Sequence, residues 1–358
     1  MANSNEKPKS TEPSVGVPIV DSLKTSGLYW ARDKLRFQPY LLYGIFLFCI
    51  GIVMYLIGVI LVFPRYLLGF QDELTPISEF LVWYSGLPLM LGLSVALLDL
   101  LVLFNGKRSI IGLRTDSLGS CQVTVALTAY NDEDSIGEAV RDFINHPRVA
   151  RVIVVSNNSK DATLELARAA GALAFDELQP GYGRCVYRCL SEAIKFEDTE
   201  LIALCEGDRT FRAHDIEKFL AYASHADIVN GTRTVEALRE RKTQLTVFMF
   251  YGNLFVGKLL EAKHLGSTTI TDVGTTYKLC RRSALQALLP ALNPAVNLEF
   301  NAHFMDIALQ KKMVLLECPI TFHPRVGLSK GGNTDNRRAL TVGLRMIRGL
   351  TLGWNASP

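Results

Sequence analysis

Two long blocks without charge constrain this chain more than any other feature. The block from Tyr40 to Phe63 has 24 residues and no charge, and the block from Phe80 to Phe104 has 25 residues and one charge, Asp99. At about 1.5 Å of rise per residue, each is long enough as a helix to cross a hydrocarbon layer of about 30 Å. Buried helices of a soluble core usually keep a polar stripe, which both blocks lack. We therefore expect a transmembrane hairpin.

The charges beside these blocks predict its orientation. Basic residues precede the first block and follow the second, whereas the connecting segment Pro64 to Glu79 is mainly acidic. By the positive-inside rule, both termini and the rest of the chain are expected in the cytoplasm, in a bacterial or archaeal plasma membrane or in the endoplasmic reticulum. Asp99 lies near the end of its block, so its side chain is expected to reach the cytoplasmic interface rather than to act in function.

The amino-acid composition excludes several classes of function. The chain has 38 Lys and Arg against 35 Asp and Glu, a net charge of +3, which argues against nucleic-acid binding through bulk charge. Its seven cysteines are scattered, with no CxxC pair and no zinc-like Cys/His spacing. A disulfide framework and a structural zinc site are therefore not expected, and a reducing compartment fits best.

After residue 121, short β-branched runs alternate with amphipathic helical patterns. The predicted strands are 122–128, 151–155, 201–204 and 226–229, and the predicted helices are 135–145, 162–170, 184–195 and 214–223. Such alternation predicts a doubly wound, mostly parallel α/β sheet. Ligands of such sheets bind beyond the carboxyl ends of the strands, so the loops there are the candidate site.

The most informative of these loops is Cys205-Glu206-Gly207-Asp208. Two carboxylates at i and i+2 after a strand can reach one divalent cation, and oxygen ligands suit Mg²⁺ or Mn²⁺, which would also hold a diphosphate. An acid-x-acid triplet alone is a weak signal. A second loop, Gly181-Tyr182-Gly183-Arg184, opens a predicted helix, and its backbone N–H groups could approach a phosphate.

The order of several short segments along the chain is more informative than any one of them: TAYNDEDSI, VVSNNSKDAT, GYGR, CEGD, GTR, TDVGTTYKLCRR, LEF and CPITFHPRVGLSKGGN. Together they resemble family 2 glycosyltransferases of the GT-A fold, and most of all the dolichyl- and polyprenyl-phosphate sugar transferases. The resemblance covers about residues 122–333. It implies inverting, metal-dependent transfer of a sugar from a nucleoside-diphosphate sugar to a polyprenyl or dolichyl phosphate in the membrane.

The resemblance also implies roles for individual residues. Thr128, Tyr130 and Asp132 would contact the nucleotide sugar, and Asn157 stands where the family has an Asp that reads the base. The metal ligands would be Glu206 and Asp208, and Asp272 lies in the acceptor-side loop. Phosphates would be held by Arg233, Arg325, Ser329 and Lys330. Asp208, Asp272 and Arg325 are the catalytic candidates, and Arg281 is counted among the cations at the cleft.

Two departures from the family pattern matter. With Asn157 in place of the usual Asp, the sequence does not indicate whether the donor carries uracil or guanine. Glu206 is longer by one methylene than the usual Asp and could stabilise the cation indirectly rather than bind it. A phosphate acceptor needs no general base, whereas a hydroxyl acceptor needs one, for which Asp272 is the strongest candidate. The excess of cations favours the phosphate. Transfer to a lipid hydroxyl and an inactive membrane scaffold remain as alternatives.

The expected organisation has four parts. Residues 1–38 form a disordered or juxtamembrane leader, 39–104 the hairpin, 105–335 the catalytic domain, and 336–358 an interfacial helix and tail. The segments 245–260 and 337–350 are both predicted to be helices that lie on the membrane surface, with ordinary packing against the domain as the alternative.

Overall fold

The computed structural model describes residues 38–107, 114–119, 121–327 and 335–354. A helical hairpin comes first, and most of the predicted leader lies outside the described residues. The hairpin consists of α1 (Tyr40–Ile60), α2 (Val62–Leu67), α3 (Gln71–Tyr84), α4 (Gly86–Leu97), a π-helical segment (Leu98–Leu103) and α5 (Phe104–Lys107). Two continuous helical stretches, Tyr40–Leu67 and Gln71–Leu103, are long and apolar enough to cross a membrane.

The connection between the two stretches is shorter than expected. The predicted loop from Pro64 to Glu79 is mostly helical, and only residues 68–70 separate α2 from α3. Pro64 is tolerated because it lies in the first turn of α2, where its missing N–H has no helical partner to lose. Asp72 and Glu73 lie in the first turn of α3, where their charges favour the positive end of the helix dipole.

Glycines set the close packing of the hairpin. Gly44, Gly51 and Gly58 follow one another at seven-residue spacing and are buried along one face of α1. A Cβ placed on Gly44 would lie 2.6 Å from the carbonyl oxygen of Gly92 on α4. The two helices approach at backbone distance there, as small residues allow in membrane helices.

The expectation that Asp99 reaches the interface is wrong. Its side chain is fully buried at the base of the hairpin, where it forms an ion pair with Lys107. It also accepts a hydrogen bond of 2.7 Å from the backbone N–H of Leu41 in the first turn of α1. The N–H of Leu41, which has no partner within its own helix, and the Lys107 ammonium group both stabilise the carboxylate. Its burial is therefore compensated, and it is not exposed to lipid.

Strands and helices alternate after residue 121, as predicted. The strands are β1 (Val123–Ala129), β2 (Val149–Ser156), β3 (Leu173–Asp176), β4 (Leu201–Glu206), β5 (Ile228–Thr232), β6 (Lys278–Arg281) and β7 (Leu315–Pro319). The helices are α6 (Glu133–Ile144), α7 (Thr163–Ala169), α8 (Tyr182–Ala193), α9 (Asp215–Ala223), α10 (Val247–Lys263), α11 (Arg282–Leu288), α12 (Phe300–Gln310) and α13 (Asn336–Leu352), with 3₁₀ turns at Glu236–Leu238 and Leu289–Ala291.

The seven strands form one sheet in the order β3-β2-β1-β4-β6-β5-β7. All neighbouring pairs are parallel except those that involve β6, which runs antiparallel to both β4 and β5. The predicted α/β class with a mostly parallel sheet is confirmed. The sequence analysis did not predict β3, β6 or β7, which are only four or five residues long.

Alternate residues of each strand enter different hydrophobic cores on the two faces of the sheet. In β4, for example, Ile202 and Leu204 join one core, and Leu201 and Ala203 join the other. The first of these cores also contains Leu42 of the hairpin and Leu350 of α13. The hairpin, the last helix and the sheet therefore share one apolar core, and residues 39–358 form a single compact unit.

A buried ionic cluster around Asp306 joins three helices near the hairpin. Its carboxylate accepts hydrogen bonds from Lys263 (2.8 Å), His264 (2.7 Å) and the indole N–H of Trp354 (2.6 Å). Burial opposes ionisation, but His264 and Lys263 outweigh it and hold the pKa of Asp306 far below its usual range. Nearby, the Tyr43 hydroxyl donates to the carbonyl of Thr351 at 2.6 Å. The end of α13 is thus fastened to both α12 and α1.

The Asp306→Asn variant should be destabilised by about 3–5 kcal/mol, because it leaves Lys263 buried without a counter-charge. The pKa of Asp306 is lower in the folded state than in the unfolded state. The carboxylate therefore contributes its full stabilisation above pH ~4, the pKa of the unfolded state, and progressively less as the pH falls below that value. Chemical unfolding in detergent between pH 3 and 7 measures both effects. The control is Asp198→Asn, which removes the exposed partner of Arg151 and should change stability far less. Equal stability of the two variants would contradict the assignment.

Candidate functional site

A cavity of about 1040 Å³ opens at the edge of the sheet where β1, β2 and β4 end. Because β6 is antiparallel, its first residues lie at this edge too. The predicted site residues that line the cavity are Thr128, Tyr130, Asp132, Asn157, Glu206, Asp208, Arg233 and Arg325. Asp272 is buried behind Arg233, and Ser329 and Lys330 lie outside the described residues. Five separate loops, those after β1, β2, β4, β5 and β7, thus converge on one cavity.

Arg325 connects two of the carboxylates in this cavity. One guanidinium nitrogen lies 2.7 Å from Asp132 and another lies 3.0 Å from Asp208. Burial opposes the charge of the guanidinium, but the acids around it raise the pKa of Arg325. The pKa of Asp132 is raised by burial, although Arg325 partly offsets the effect. Arg325 is therefore the cation that balances the carboxylates of the site.

Glu206 and Asp208 lie close together at the end of β4. One oxygen of Asp208 accepts hydrogen bonds from the backbone N–H (3.0 Å) and hydroxyl (2.6 Å) of Thr210, and the other faces Arg325 as an ion pair without hydrogen-bond geometry. Glu206 accepts a hydrogen bond of 2.7 Å from the Thr276 hydroxyl. Burial, together with the Asp208 charge, raises the pKa of Glu206 to about 7.

These two acids fit a divalent cation that prefers oxygen. The negative charges of Glu206 and Asp208 repel each other, and the Asp208 oxygen that faces Arg325 has no hydrogen-bond donor. A cation would relieve both conditions. Among the described residues, no group of three or more His, Cys, Asp or Glu is arranged to hold a metal ion. Mg²⁺ is usually bound by one or two carboxylates plus water and phosphate, so a pair is sufficient when a diphosphate is bound.

Arg233 and Asp272 form a closed ion pair, which the sequence analysis did not predict. Asp272 accepts from the Arg233 guanidinium at 2.7 and 2.8 Å and from its backbone N–H at 3.1 Å. Burial opposes ionisation, but Arg233 outweighs it and lowers the pKa of Asp272. The carboxylate is 1% exposed. Asp272 is placed to orient Arg233, which reaches the cavity wall, rather than to accept a proton from an acceptor hydroxyl.

The placement of Arg281 at the cleft is wrong. This residue ends β6 beside Leu201, at the opposite end of the sheet from the cavity. Its guanidinium donates to the carbonyl oxygens of Ala223 (2.8 Å) and Ala226 (2.9 Å) and pairs with Glu200. The antiparallel direction of β6 places the start of the strand at the site and its end far from it.

The amide of Asn157 is engaged within the protein. Its nitrogen donates to the carbonyl of Gln179 at 3.0 Å, and its oxygen accepts from the N–H of Gly181 at 2.9 Å. The next N–H, that of Tyr182, donates to Asn297 at 2.8 Å. Asn157 therefore holds the loop before α8. These two N–H groups are not directed at a phosphate, contrary to the expectation from the Gly-rich turn.

Gly183 in this turn is required by close packing. Helix α8 begins at Tyr182 as predicted, and a Cβ on Gly183 would lie 1.7 Å from the carbonyl oxygen of Val296. No side chain fits there, so the start of α8 can pack against the loop before α12. Sequence spacing could not reveal this contact, because more than 100 residues separate its partners.

The sequence analysis also missed several polar residues below the acid pair. Tyr182, Thr276 and Asn301 are hydrogen-bonded to one another, and Thr276 contacts Glu206. All three lie in or beside segments that had been noticed: Tyr182 in GYGR, Thr276 in TDVGTTYKLCRR, and Asn301 next to LEF. Those segments were the only available signal, and they did not show which side chains face the site.

The cavity continues from the carboxylates into an apolar groove between α10 and α13. Its walls there include Val247, Phe248, Tyr251, Phe255, Leu340 and Leu344, all of which are exposed, with Val247 at 75%. Both helices were predicted, with membrane contact and packing as alternatives. The structure shows features of both: α10 buries Val256 and Leu260 but exposes its first half, and α13 buries Met346 and Leu350 but exposes Leu340 and Leu344.

Comparison with known proteins is consistent with this site. Residues 124–289 match the family described as Glycosyl transferase family 2. A dolichyl-phosphate hexose transferase of Haloferax volcanii is 25% identical over 209 residues, 58% of this chain and 86% of that protein. An uncharacterised glycosyltransferase of Mycobacterium tuberculosis is 34% identical over 112 residues, 31% of this chain and 48% of that one. The chain therefore spans about half the length of this second relative.

A solved structure with a similar fold is glucosyl-3-phosphoglycerate synthase from Mycobacterium tuberculosis in complex with Mn²⁺, uridine-diphosphate-glucose and glycerol 3-phosphate. It has a TM-score of 0.47 and 12% identity, over 66% of this chain and 82% of that one. The family 2 glycosyltransferase match thus lies on residues 124–289, and the mostly parallel sheet that contains them is of the GT-A class. Within that class, two apolar helices precede the catalytic domain of this protein.

Proposed function

We propose that this protein is a membrane-bound, inverting glycosyltransferase that moves a sugar from a nucleoside-diphosphate sugar to a polyprenyl or dolichyl phosphate. One observation carries the proposal: a single cavity joins a polar end, formed by Glu206, Asp208 and Arg325, to an apolar groove between α10 and α13. A charged donor fits the first part and a lipid chain fits the second. The relative from Haloferax volcanii is a dolichyl-phosphate hexose transferase, which supports the same acceptor class.

At the polar end, the chain binds and neutralises the donor. Bound Mg²⁺ or Mn²⁺ would supply charge neutralisation for the leaving diphosphate. Asp208 is the surer ligand, because one of its oxygens has no hydrogen-bond donor, whereas Glu206 is held by Thr276. Arg325 is placed to exchange its carboxylate partners for a diphosphate, which it can contact with two nitrogens. Thr128 and the exposed ring of Tyr130 are proposed to contact the nucleoside.

The remaining assignments follow the same scheme. Arg233, held by Asp272, is proposed to present positive charge to the phosphates from the cavity wall. Asn157 shapes the nucleotide end through the loop before α8. Ser329 and Lys330 are proposed phosphate contacts on the family resemblance alone.

A phosphate acceptor is favoured over a hydroxyl. The phosphate oxygen is already anionic at neutral pH and attacks without a general base. Asp272, the strongest base candidate, is committed to Arg233. Transfer to a lipid hydroxyl would need another carboxylate of the cavity, but Asp132 and Asp208 are both paired with Arg325, and Glu206 is held by Thr276 and assigned to the cation.

Incubating the purified protein with labelled nucleotide sugars and a defined polyprenyl phosphate should give an acid-labile lipid product. The Asp272→Asn variant should turn over more slowly, because Arg233 loses its support, but its pH–rate profile should keep the wild-type shape. An acid-stable product, with an ionisation that disappears in Asp272→Asn, would indicate a hydroxyl acceptor. No product with any donor would support an inactive scaffold.

The Asp208→Asn variant should lose metal-dependent nucleotide binding and activity, because a neutral amide cannot balance the cation. Glu206→Gln should lose less if Glu206 acts mainly through its hydrogen bond. Binding of Mn²⁺ with UDP or GDP, followed by calorimetry, measures the difference. Asp134→Asn removes an exposed carboxylate of α6 that does not line the cavity and serves as the control. Full turnover by Asp208→Asn would show that the metal assignment is wrong.

We propose that the two apolar stretches span the membrane with the catalytic domain and both termini in the cytoplasm. Lys107 and Arg114 lie at the end near the catalytic domain, and Asp72 and Glu73 lie at the other end. A cysteine at Leu68 should react with an impermeant thiol reagent on intact cells, whereas a cysteine at Thr115 should react only after permeabilisation. The native cysteines give the background in the wild type. Labelling of position 115 from outside would contradict the orientation.

A further inference from the structure

Lys278, the first residue of β6, is fully buried and has no carboxylate partner among the described residues. Its ammonium donates to the carbonyl of Thr275 and lies 3.3 Å from the side-chain oxygen of Asn301. Burial lowers the pKa of Lys278 to about 8, so the side chain still carries its proton at neutral pH. Burying an ammonium group without a counter-ion is unfavourable, so the stability of the fold does not explain why a lysine lies at this position.

A chain of hydrogen bonds leads from this lysine to the site. Asn301 must turn its oxygen to Lys278, because an ammonium group can only donate, and its nitrogen then lies 3.3 Å from the Tyr182 hydroxyl. Tyr182 lies 2.5 Å from the Thr276 hydroxyl, and Thr276 lies 2.7 Å from Glu206.

The direction of every bond in this chain is determined by its two ends. With a cation beside it, Glu206 would be ionised and could only accept. Thr276 then donates its single hydroxyl hydrogen to Glu206 and must accept from Tyr182. Tyr182 in turn accepts from Asn301. Each donor therefore points from Lys278 towards Glu206, and aligned hydrogen bonds of this kind polarise one another.

We infer that Thr276, Tyr182, Asn301 and Lys278 are positioning residues that hold the Glu206 carboxylate towards the cation and the donor diphosphate. The inference rests on the proposed function, because it takes Glu206 and Asp208 as the cation site. None of the four residues needs to touch the donor. They act through the orientation of one oxygen of Glu206.

This assignment explains two features of the chain. Glu206 has one more rotatable bond than the Asp usual at this position, so it needs a fixed hydrogen-bond partner to be held in one place. Thr276 and Lys278 are two residues apart, so they point to the same face, whereas Tyr277 between them enters the opposite core. The start of β6 and the residues just before it thus supply both Lys278 and the residue that contacts Glu206.

The test compares two adjacent threonines. Thr276→Val removes the hydroxyl that contacts Glu206, and Thr275→Val removes a buried hydroxyl that has no partner among the described residues. Mn²⁺ binding to the full-length protein with UDP and with GDP is followed by the loss of the free-Mn²⁺ resonance, and Tm is measured in parallel. Thr276→Val should weaken Mn²⁺ binding by about tenfold, the effect of one hydrogen bond to a charged group.

Two further variants test the chain rather than a local defect. Thr276→Ser keeps the hydroxyl and should restore Mn²⁺ binding to within about twofold of the wild type, and Thr275→Val should not change it. Lys278→Met should weaken Mn²⁺ binding in the wild type but not further in Thr276→Val, because the chain is already broken there.

The outcomes separate this inference from the proposed function. If the wild type binds Mn²⁺ with nucleotide and Thr276→Val binds it equally well, the chain has no such role although the metal site stands. Fully additive effects of Lys278→Met and Thr276→Val would overturn the inference in the same way. If the wild type binds no Mn²⁺ with either nucleotide, both the metal site and the inference are overturned.

Discussion

The balance between buried acids and the cations that face them is the interaction on which this site depends. Asp132, Glu206 and Asp208 lie together at one edge of the sheet, and burial raises the pKa of Asp132 and of Glu206. Arg325 pairs with two of them and leaves the acid pair only partly neutralised. A divalent cation with a diphosphate would complete the balance. The same requirement explains why Arg233 and Asp272 are found as a pair: neither charge could be buried alone.

The same rule governs the junction between the hairpin and the catalytic domain. Asp99 is paired with Lys107 at the base of the hairpin, and Asp306 is surrounded by Lys263, His264 and Trp354. The Asp306 contacts hold α10 and the end of α13 against α12, and the Asp99 contacts hold the end of the hairpin against the start of α1. The apolar groove therefore lies beside helices that are long enough to cross a membrane, where a lipid-linked acceptor could enter it without leaving the bilayer.

Much of the architecture could be predicted because it depends on local patterns. The β-branched runs and the amphipathic helices of the domain appeared within three residues of the predicted bounds. Both uncharged blocks are helical, but the second helical stretch begins at Gln71, nine residues before its block. The short strand β6 could not be predicted, because Lys278–Arg281 has no clear alternation and gains its place only by pairing with β4 and β5. That omission led directly to the wrong placement of Arg281.

The sequence by itself determined the class of the chain, the two apolar helices, and the loops that hold Asp132, Glu206, Asp208 and Arg325, because spacing and residue type carry that information. Only the tertiary structure decided which groups these charged and polar side chains contact. It paired Arg233 with Asp272, used the amide of Asn157 to support a loop, and buried Asp99. It also linked Lys278 to Glu206 through three residues that are far apart along the chain, Asn301, Tyr182 and Thr276. Partners distant along the chain are chosen by packing and by the cost of burying unpaired charge, and neither can be read from local spacing.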